Sequence, residues 1–296
     1  MSSTPPEPAK NIPEIIPQPS LRPLLEKYGA LIEESPAKNS REAARRALET
    51  GTKKIGVLSD IHLPFHRTDL IEAFIQRHPD LDAVVCNGDL VNWDSVSHHL
   101  SYEAERPEDD AEALLWLNER LTTAYPGKPI IQLTGNHDLR VPKRVAETMD
   151  PFLASVIVRS FNETMARPFP DVHALPRPWW YWRIGDVVFS HGEKRAGGTS
   201  WRKSSESFLR YFVDQAYAEG KPPPAAVIQG HHHQIGQHKL GKGWVIWAGT
   251  LSKDMEYAQG PDMYNPLGGQ VGYVVVMLKD GKFQANLSRV YDFSDF

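Results

Sequence analysis

The chain of 296 residues contains a single cysteine, Cys86. No internal disulfide can form, which sets aside stapled secreted scaffolds and suits a reducing compartment. By its β-branched neighbours, Cys86 is expected in the core of a strand. Nor does any apolar run approach the roughly 18–20 residues that a membrane span requires. No basic segment followed by an apolar one opens the sequence, so no secretory leader is read there and the expected location is cytoplasmic. Excess charge of one sign is missing too. The formal net charge is −4, so no global basic field draws the chain to nucleic acid, although a local basic groove is compatible with that balance. Hydrophobic residues make up 41% and charged residues 24%, the ordinary proportions of a globular protein. The length suits one large domain or two small ones, and no internal repeat is visible.

Proline is unevenly spread. Residues 1–24 hold Pro5, Pro6, Pro8, Pro13, Pro17, Pro19 and Pro23, a composition that disfavours regular structure. An N-terminal arm over residues 1–36 is expected, either a tail or a strap anchored by Ile12, Ile15, Ile16, Leu21, Leu24 and Leu25. A strap would allow an oligomer. Residues 37–296 are expected to form one domain, its catalytic part starting near Lys53, with an insertion at about 151–183. Helices are predicted over 40–50, with Ser40 as N-cap, over Thr68–Arg77, over Asp109–Tyr125, where Leu114, Leu117 and Leu121 recur at helical spacing, and over 200–218. Strands are predicted over Trp244–Ala248, Val271–Leu278 and, after a turn at Lys279-Asp280-Gly281, Phe283–Val290.

Five short polar clusters stand out, each after a short apolar run. They are Asp60-Ile61-His62, Asn87-Gly88-Asp89, Gly135-Asn136-His137-Asp138, His191-Gly192 and Gly230-His231-His232-His233. The runs before them, such as Ile55-Gly56-Val57-Leu58 and Ala83-Val84-Val85-Cys86, read as buried strands alternating with helices in an α/β fold. Open α/β sheets build sites outside the carboxyl ends of their strands. Five strands thus deliver Asp, Asn and His to one place, the inventory of a metal site in a two-metal hydrolase. Each cluster is weak alone; five in series are not.

That series resembles the calcineurin-like metallophosphoesterase superfamily, whose pattern runs Asp-x-His, Gly-Asp, Gly-Asn-His-Asp/Glu, His and Gly-His-x-His. The resemblance covers about residues 53–252. It implies a four-layer α/β/β/α sandwich of two mixed sheets with a dinuclear metal centre at the strand ends. It assigns Asp60, His62, Asp89 and His233 to one ion, and Asp89, Asn136, His191 and His231 to the other, with Asp89 bridging. His137 is expected to contact substrate phosphate or to protonate the leaving oxygen, oriented by Asp138, and not to bind metal. In an extended segment residues i and i+2 point the same way, so Asp60 with His62, and His231 with His233, would converge. Gly88, Gly135 and Gly230 are expected to turn the backbone before each ligand. His232 is expected to face an outer position or solvent. The sequence departs from the pattern once. The family's second block often continues as Gly-Asp-x-x-Asp, and here Asn92 stands at the last position. The Gly-Asp-x-x-Asp-Arg-Gly of the Ser/Thr protein phosphatases is absent; small bacterial and phage-encoded members are nearer.

The implied activity is hydrolysis of phosphate esters, phosphodiesters foremost, by a hydroxide bridging two divalent ions. A phosphomonoesterase, or a non-catalytic scaffold of the same fold, is the alternative. Mn, Fe, Zn, Co or Ni suit the donors. Candidate substrate contacts are Asn136, Arg140 and Arg195, the last in a basic loop with Lys194, Arg202 and Lys203 around Gly197-Gly198. Trp179, Trp180, Tyr181, Trp182 and Trp201 either pack in the core or stack on bases of a nucleotide or nucleic acid. His66, His98 and His99 are either surface residues or part of the mouth.

Overall fold

The computed structural model describes residues 36–97, 106–148, 165–166, 168–175, 181–192, 201–253 and 269–293. The proline-rich segment, His98, His99, Trp179, Trp180, Lys194, Arg195, Gly197 and Gly198 lie outside those residues. The chain divides into two compact units, Met1–Ser40 and Arg41–Phe296, and the fold below is that of the second. Helix α1 runs Pro36–Leu48. Ser40 is therefore inside the helix, not the expected cap; proline's fixed φ is already suited to the first helical position.

The elements that follow are β1 (Thr52–Leu58), α2 (Thr68–Arg77), β2 (Ala83–Asn87), a single 3₁₀ turn (Asp94–Val96), α3 (Pro107–Ala124), β3 (Ile130–Leu133), α4 (Arg140–Thr148), β4 (Val172–Ala174), β5 (Tyr181–Ile184), β6 (Val187–Ser190), α5 (Trp201–Ala218), β7 (Ala226–Gln229), β8 (Ile235–Leu240), β9 (Gly243–Ala248), β10 (Gly272–Lys279), β11 (Lys282–Phe283) and β12 (Arg289–Asp292). They form two mixed sheets. One has the order β11-β10-β1-β2-β3-β4, with β12 also paired to β10. Its strands β1 to β4 are parallel and β10 is antiparallel to β1. The other has the order β5-β6-β7-β9-β8, with β6, β7 and β9 parallel between antiparallel edges.

Side-chain alternation sets the layers. Ile55 and Val57 of β1, Ala83 and Val85 of β2, and Val274 and Val276 of β10 meet Val187, Phe189, Ala226, Ile228 and Ile246 of the second sheet in a shared core. The alternate residues Leu58, Val84, Cys86, Ile130 and Val275 face Leu70, Ile71 and Phe74 of α2 and Leu114, Leu117 and Leu121 of α3. On the far side of the second sheet, Val188, Val227, Val245 and Trp247 pack on Phe208, Leu209 and Phe212 of α5. The result is the expected α/β/β/α sandwich. Strands buried on both faces cannot show polar alternation, which is why they read as continuous apolar runs. Fully burying a side chain such as Phe74 stabilises by about 1.5–3 kcal/mol.

One expected strand is broken. In place of Phe283–Val290, the chain pairs at Lys282–Phe283, loops out, and pairs again at Arg289–Asp292. The loop closes through Leu287 N–H and Ser288 N–H to the Gln284 carbonyl, and Ser288 Oγ accepts the Met277 N–H (3.0 Å) opposite the excursion. Among the expected aromatics, Trp182 is buried in the inter-sheet core and Tyr181 packs on Phe212, ring centroids 4.9 Å apart. Among the described residues no helix is long and apolar enough to cross a membrane.

Candidate metal centre

Loops leaving the C-terminal ends of β1, β2, β3, β6 and β7 carry the seven candidate ligands, and the two stacked sheets bring those loops together. His233 Nε2 lies 3.3 Å from Asp60 Oδ1 and 3.1 Å from His62 Nε2. His62 Nε2 in turn lies 3.9 Å from Asp60 Oδ1 and 4.0 Å from Asp89 Oδ2. The same Asp89 Oδ2 is 3.1 Å from His191 Nε2, which is 3.1 Å from Asn136 Oδ1. Asp89, His191 and His231 form a further group whose ligating atoms lie within 4.8 Å of one another. Asp89 thus stands between two groups of donors.

The backbone reaches this arrangement differently from the expectation of extended segments. Asp60, His62, Asp89, His231 and His233 all have positive φ, between +48° and +69°. Each such residue costs about 1–3 kcal/mol and persists only where the surroundings over-determine it. Here they do. Asp60 N–H and His62 N–H donate to the carbonyls of Gly88 and Asp89, and Leu251 N–H donates to that of Asp60. Thr250 Oγ1 bonds the same Asp60 carbonyl at 2.7 Å. Residues i and i+2 still converge, but through left-handed residues and not through a pleat.

The glycines also act differently. Gly88 turns with φ +88°. Gly135 and Gly230 have ordinary φ and serve close approach instead: a Cβ on Gly135 would overlap Asp89 Oδ1, and one on Gly230 would overlap Ser59 Oγ.

Hydrogen bonds fix which ring nitrogens face inward. His191 Nδ1 donates to the Asn87 carbonyl at 3.1 Å, so Nε2 is the nitrogen turned toward Asp89. Asp60 accepts from Ser59 Oγ (2.6 Å) and from His231 N–H (2.9 Å). His137 N–H donates to Asp89 Oδ1 at 2.8 Å, so one carboxylate oxygen of Asp89 is held by backbone while the other faces the donors. Asp138 does not take the place expected of it beside His137. Its oxygens accept Val91 N–H (3.0 Å) and Gly135 N–H (2.8 Å), tying the second loop to the third. His137 Nδ1 faces Asn92 instead, with Oδ1 at 2.8 Å and the main-chain carbonyl at 3.3 Å. Arg140 Nη1 pairs with Asp94 and bonds the Asn92 carbonyl at 2.8 Å, and Nη2 lies 3.3 Å from His137 Nε2.

Charge follows burial. Burial opposes ionisation of Asp60, but His233 and His191 hold its carboxyl below the usual range. Asp89 is lowered likewise, with burial outweighed by His191 and His137. His191 is pushed up to about 10, because Asp89 and Asp60 overcome its burial. His62 falls well below its ordinary value through burial and the nearby His137. Burial, with His191 adding to it, takes His231 to about 4. His137 also falls to about 4 through burial, with Arg140 acting the same way. Asp138 rises to about 7 through burial and the Asp89 charge.

These donors suit divalent cations. His62 and His233 hold ring nitrogens 3.1 Å apart, a spacing that needs a proton or a cation between them. Carboxylate, amide oxygen and imidazole together are the donors of a hard-to-borderline ion. A family description, calcineurin-like phosphoesterase, matches residues 53–244.

The chain belongs to the calcineurin-like phosphoesterase family.

No curated protein sequence matches it. Among solved structures it is similar to Vacuolar Protein Sorting 29 from Cryptosporidium parvum, at 14% identity over 82% of this chain and 99% of that one, with TM-score 0.42. A hypothetical protein from Pyrococcus horikoshii matches at 10% identity over 81% and 87% of the two chains, TM-score 0.43. An archaeal phosphodiesterase matches at 16% identity over 80% and 99%, TM-score 0.38. In this calcineurin-like phosphoesterase, the sequence pattern did not mark Ser59 and Thr250 as supports of the site, and it placed Asn87 in a cluster without giving it a role. Only the position of each polar residue next to a strand end hints at them. His66 bonds the Pro64 carbonyl (3.1 Å) and Thr68 Oγ1 (3.2 Å) and stacks near Trp116. His232 is half-buried, its Nε2 without a hydrogen-bond partner among the described residues.

Proposed function

We propose that the protein is a dinuclear metal-dependent phosphoesterase, acting on phosphodiesters in preference to monoesters. The carrying observation is Asp89 Oδ2, placed between His62 Nε2 at 4.0 Å and His191 Nε2 at 3.1 Å. On this reading Asp60, His62, Asp89 and His233 hold one ion, and Asp89, Asn136, His191 and His231 hold the other. Two bound divalent ions supply Lewis-acid polarisation of the phosphoryl group and a more acidic water.

The residues of the chain do the rest. Asn136 and Asp89 fix the floor of the site, and His137 presents Nε2 toward the substrate side with Arg140 beside it. Burial keeps His137 neutral near pH 7, so it acts there as a hydrogen-bonding and proton-accepting group more readily than as an acid. The diester preference is supported by Arg140, whose charge is already matched by Asp94. A singly charged diester needs less protein cation than a doubly charged monoester. Arg195 is proposed as a further phosphate contact on its sequence position alone. Mn, Fe, Zn, Co and Ni all suit the donors, and Mn²⁺ is the ion to load first. The single thiol, Cys86, is buried, which supports work in the cytoplasm.

The test compares bis-p-nitrophenyl phosphate with p-nitrophenyl phosphate on metal-stripped protein reloaded with each ion. Faster diester turnover supports the proposal. Faster monoester turnover replaces it with a phosphatase. Two ions bound with no turnover of either ester would move it to a scaffold or to a narrow substrate.

A further inference from the structure

Asn92 is fully buried, and its single side-chain oxygen faces two histidines. Oδ1 lies 3.3 Å from His62 Nδ1 and 2.8 Å from His137 Nδ1, nearer to the latter than the main-chain carbonyl of the same residue, at 3.3 Å. The two rings meet edge to face, with centroids 4.5 Å apart. Which end of the amide faces the rings follows from Arg140. A guanidinium only donates, so His137 Nε2, 3.3 Å from Arg140 Nη2, is an acceptor. His137 then carries its proton on Nδ1, and the group opposite must be the oxygen of Asn92. The same oxygen draws the proton of His62 to Nδ1. Both rings are left with Nε2 lone pairs, one toward Asp60, Asp89 and His233, the other toward Arg140 Nη2.

The main chain holds Asn92 from both sides. Its N–H donates to the Leu63 carbonyl at 2.9 Å, and its own carbonyl accepts from Arg140 at 2.8 Å. The Nδ2 of Asn92 is buried with no hydrogen-bond partner among the described residues. A buried donor left unsatisfied is unfavourable, so the amide is kept in this orientation against a penalty.

We propose that Asn92 is a positioning residue: its one amide oxygen sets the tautomer of His62 and of His137 together, and so links filling of the first ion position to presentation of His137. The inference rests on the reading of His62 as a metal ligand. An asparagine does this without adding a negative charge, as an aspartate would. A second net charge would bind both imidazoles more tightly in their protonated forms.

The experiment is long-range ¹H–¹⁵N NMR of the histidine rings in metal-free protein at neutral to mildly basic pH. In the wild type, His62 and His137 are expected to show protonated Nδ1 and bare Nε2. In Asn92→Leu, His62 is expected to shift toward the Nε2–H form. Titration with Mn²⁺ is expected to show one of two ions weakened about 10–100-fold, the scale of outer partners of metal ligands. Turnover on the loaded protein should fall by a similar factor in kcat with KM within about twofold. Asn92→Asp restores an acceptor and is expected to restore the Nδ1–H forms. A wild-type spectrum with Nε2–H on either ring overturns the proposal whether or not the leucine variant folds. So does an Asn92→Leu protein with unchanged tautomers and an unchanged Mn²⁺ titration, even if its melting temperature drops. The tautomers are read without metal or substrate. Wild-type protein with the stated tautomers but no esterase activity would therefore sink the hydrolytic reading and leave this one standing.

Discussion

Asp89 and His191 meet with 3.1 Å between Oδ2 and Nε2, and each is held from behind by backbone. Asp89 Oδ1 accepts the His137 N–H, and His191 Nδ1 donates to the Asn87 carbonyl. Neither side chain can turn away without leaving a buried polar group unpaired. The pair is therefore preorganised for a ligand common to both.

Asp89→Asn tests whether that ligand is shared. The amide lacks the charge and one acceptor oxygen needed to face two donor groups. Metal content is expected to fall at both positions, and turnover by at least about 10²-fold, since even outer partners of ligands act on that scale. Metal analysis after dialysis checks it; two ions retained per chain would remove Asp89 from the bridge.

His137→Ala is expected to behave in the opposite way. His137 belongs to a group with His62 and Asp89 that is compact enough to hold an ion, yet its Nε2 lies beside Arg140, away from a ligand role. Metal content should stay unchanged while kcat drops by about 10²–10⁴-fold, the range for a group that transfers or holds a proton in the transition state. Loss of an ion from this variant would count His137 among the ligands.

Metal binding should release protons. Although burial opposes it, Asp89 and Asp60 raise His191 to about 10 in the metal-free protein, so near pH 7 a proton occupies the nitrogen an ion needs. The sign is definite: apparent affinity rises with pH up to about 10 and falls as the solution is acidified. Calorimetry in buffers of differing ionisation enthalpy reads the release directly. A binding enthalpy independent of buffer at pH 7 would contradict it.

His78 predicts a separate acid sensitivity far from the ligands. Its Nε2 meets Tyr273 Oη at 2.8 Å, its Nδ1 is buried without a partner among the described residues, and burial, with Lys54 adding to it, lowers it from 6.5 to about 4. A depressed histidine favours the folded state above its unfolded value. That contribution is complete above about pH 6.5 and is lost as pH falls toward 4. The melting temperature of wild type should therefore drop more steeply over that window than that of His78→Gln. Parallel curves would show that His78 titrates alike in both states.

Much of this was readable in the chain. The apolar runs read in the sequence end at or one residue before the strand ends Leu58, Asn87, Leu133, Ser190 and Gln229, and each polar cluster begins within three residues of its strand end. A strand's length and a ligand's position after it are local properties, so pattern alone located them. The short edge strands β4, β5 and β8 were not legible. Their residues are only partly apolar, and pairing partners that stabilise them lie far along the chain. Ser40 and the break in Phe283–Val290 failed for a related reason: the chain continues or loops according to contacts elsewhere.

The sequence by itself determined the residue types of the site and their order, because metal donors are written residue by residue; apolar runs succeeding helical segments set the α/β class, and the two-sheet sandwich was what the family resemblance implied. Only the tertiary structure decided how those residues are aimed. The left-handed backbone at five candidate ligands, the close approach of Gly135 to Asp89, the role of Asp138 as a tie between loops, and the sharing of Asn92 by His62 and His137 all depend on loops from different strands meeting. Hydrogen-bond direction and ring orientation are set by what lies across a gap of about 3 Å, and that neighbour is distant in sequence.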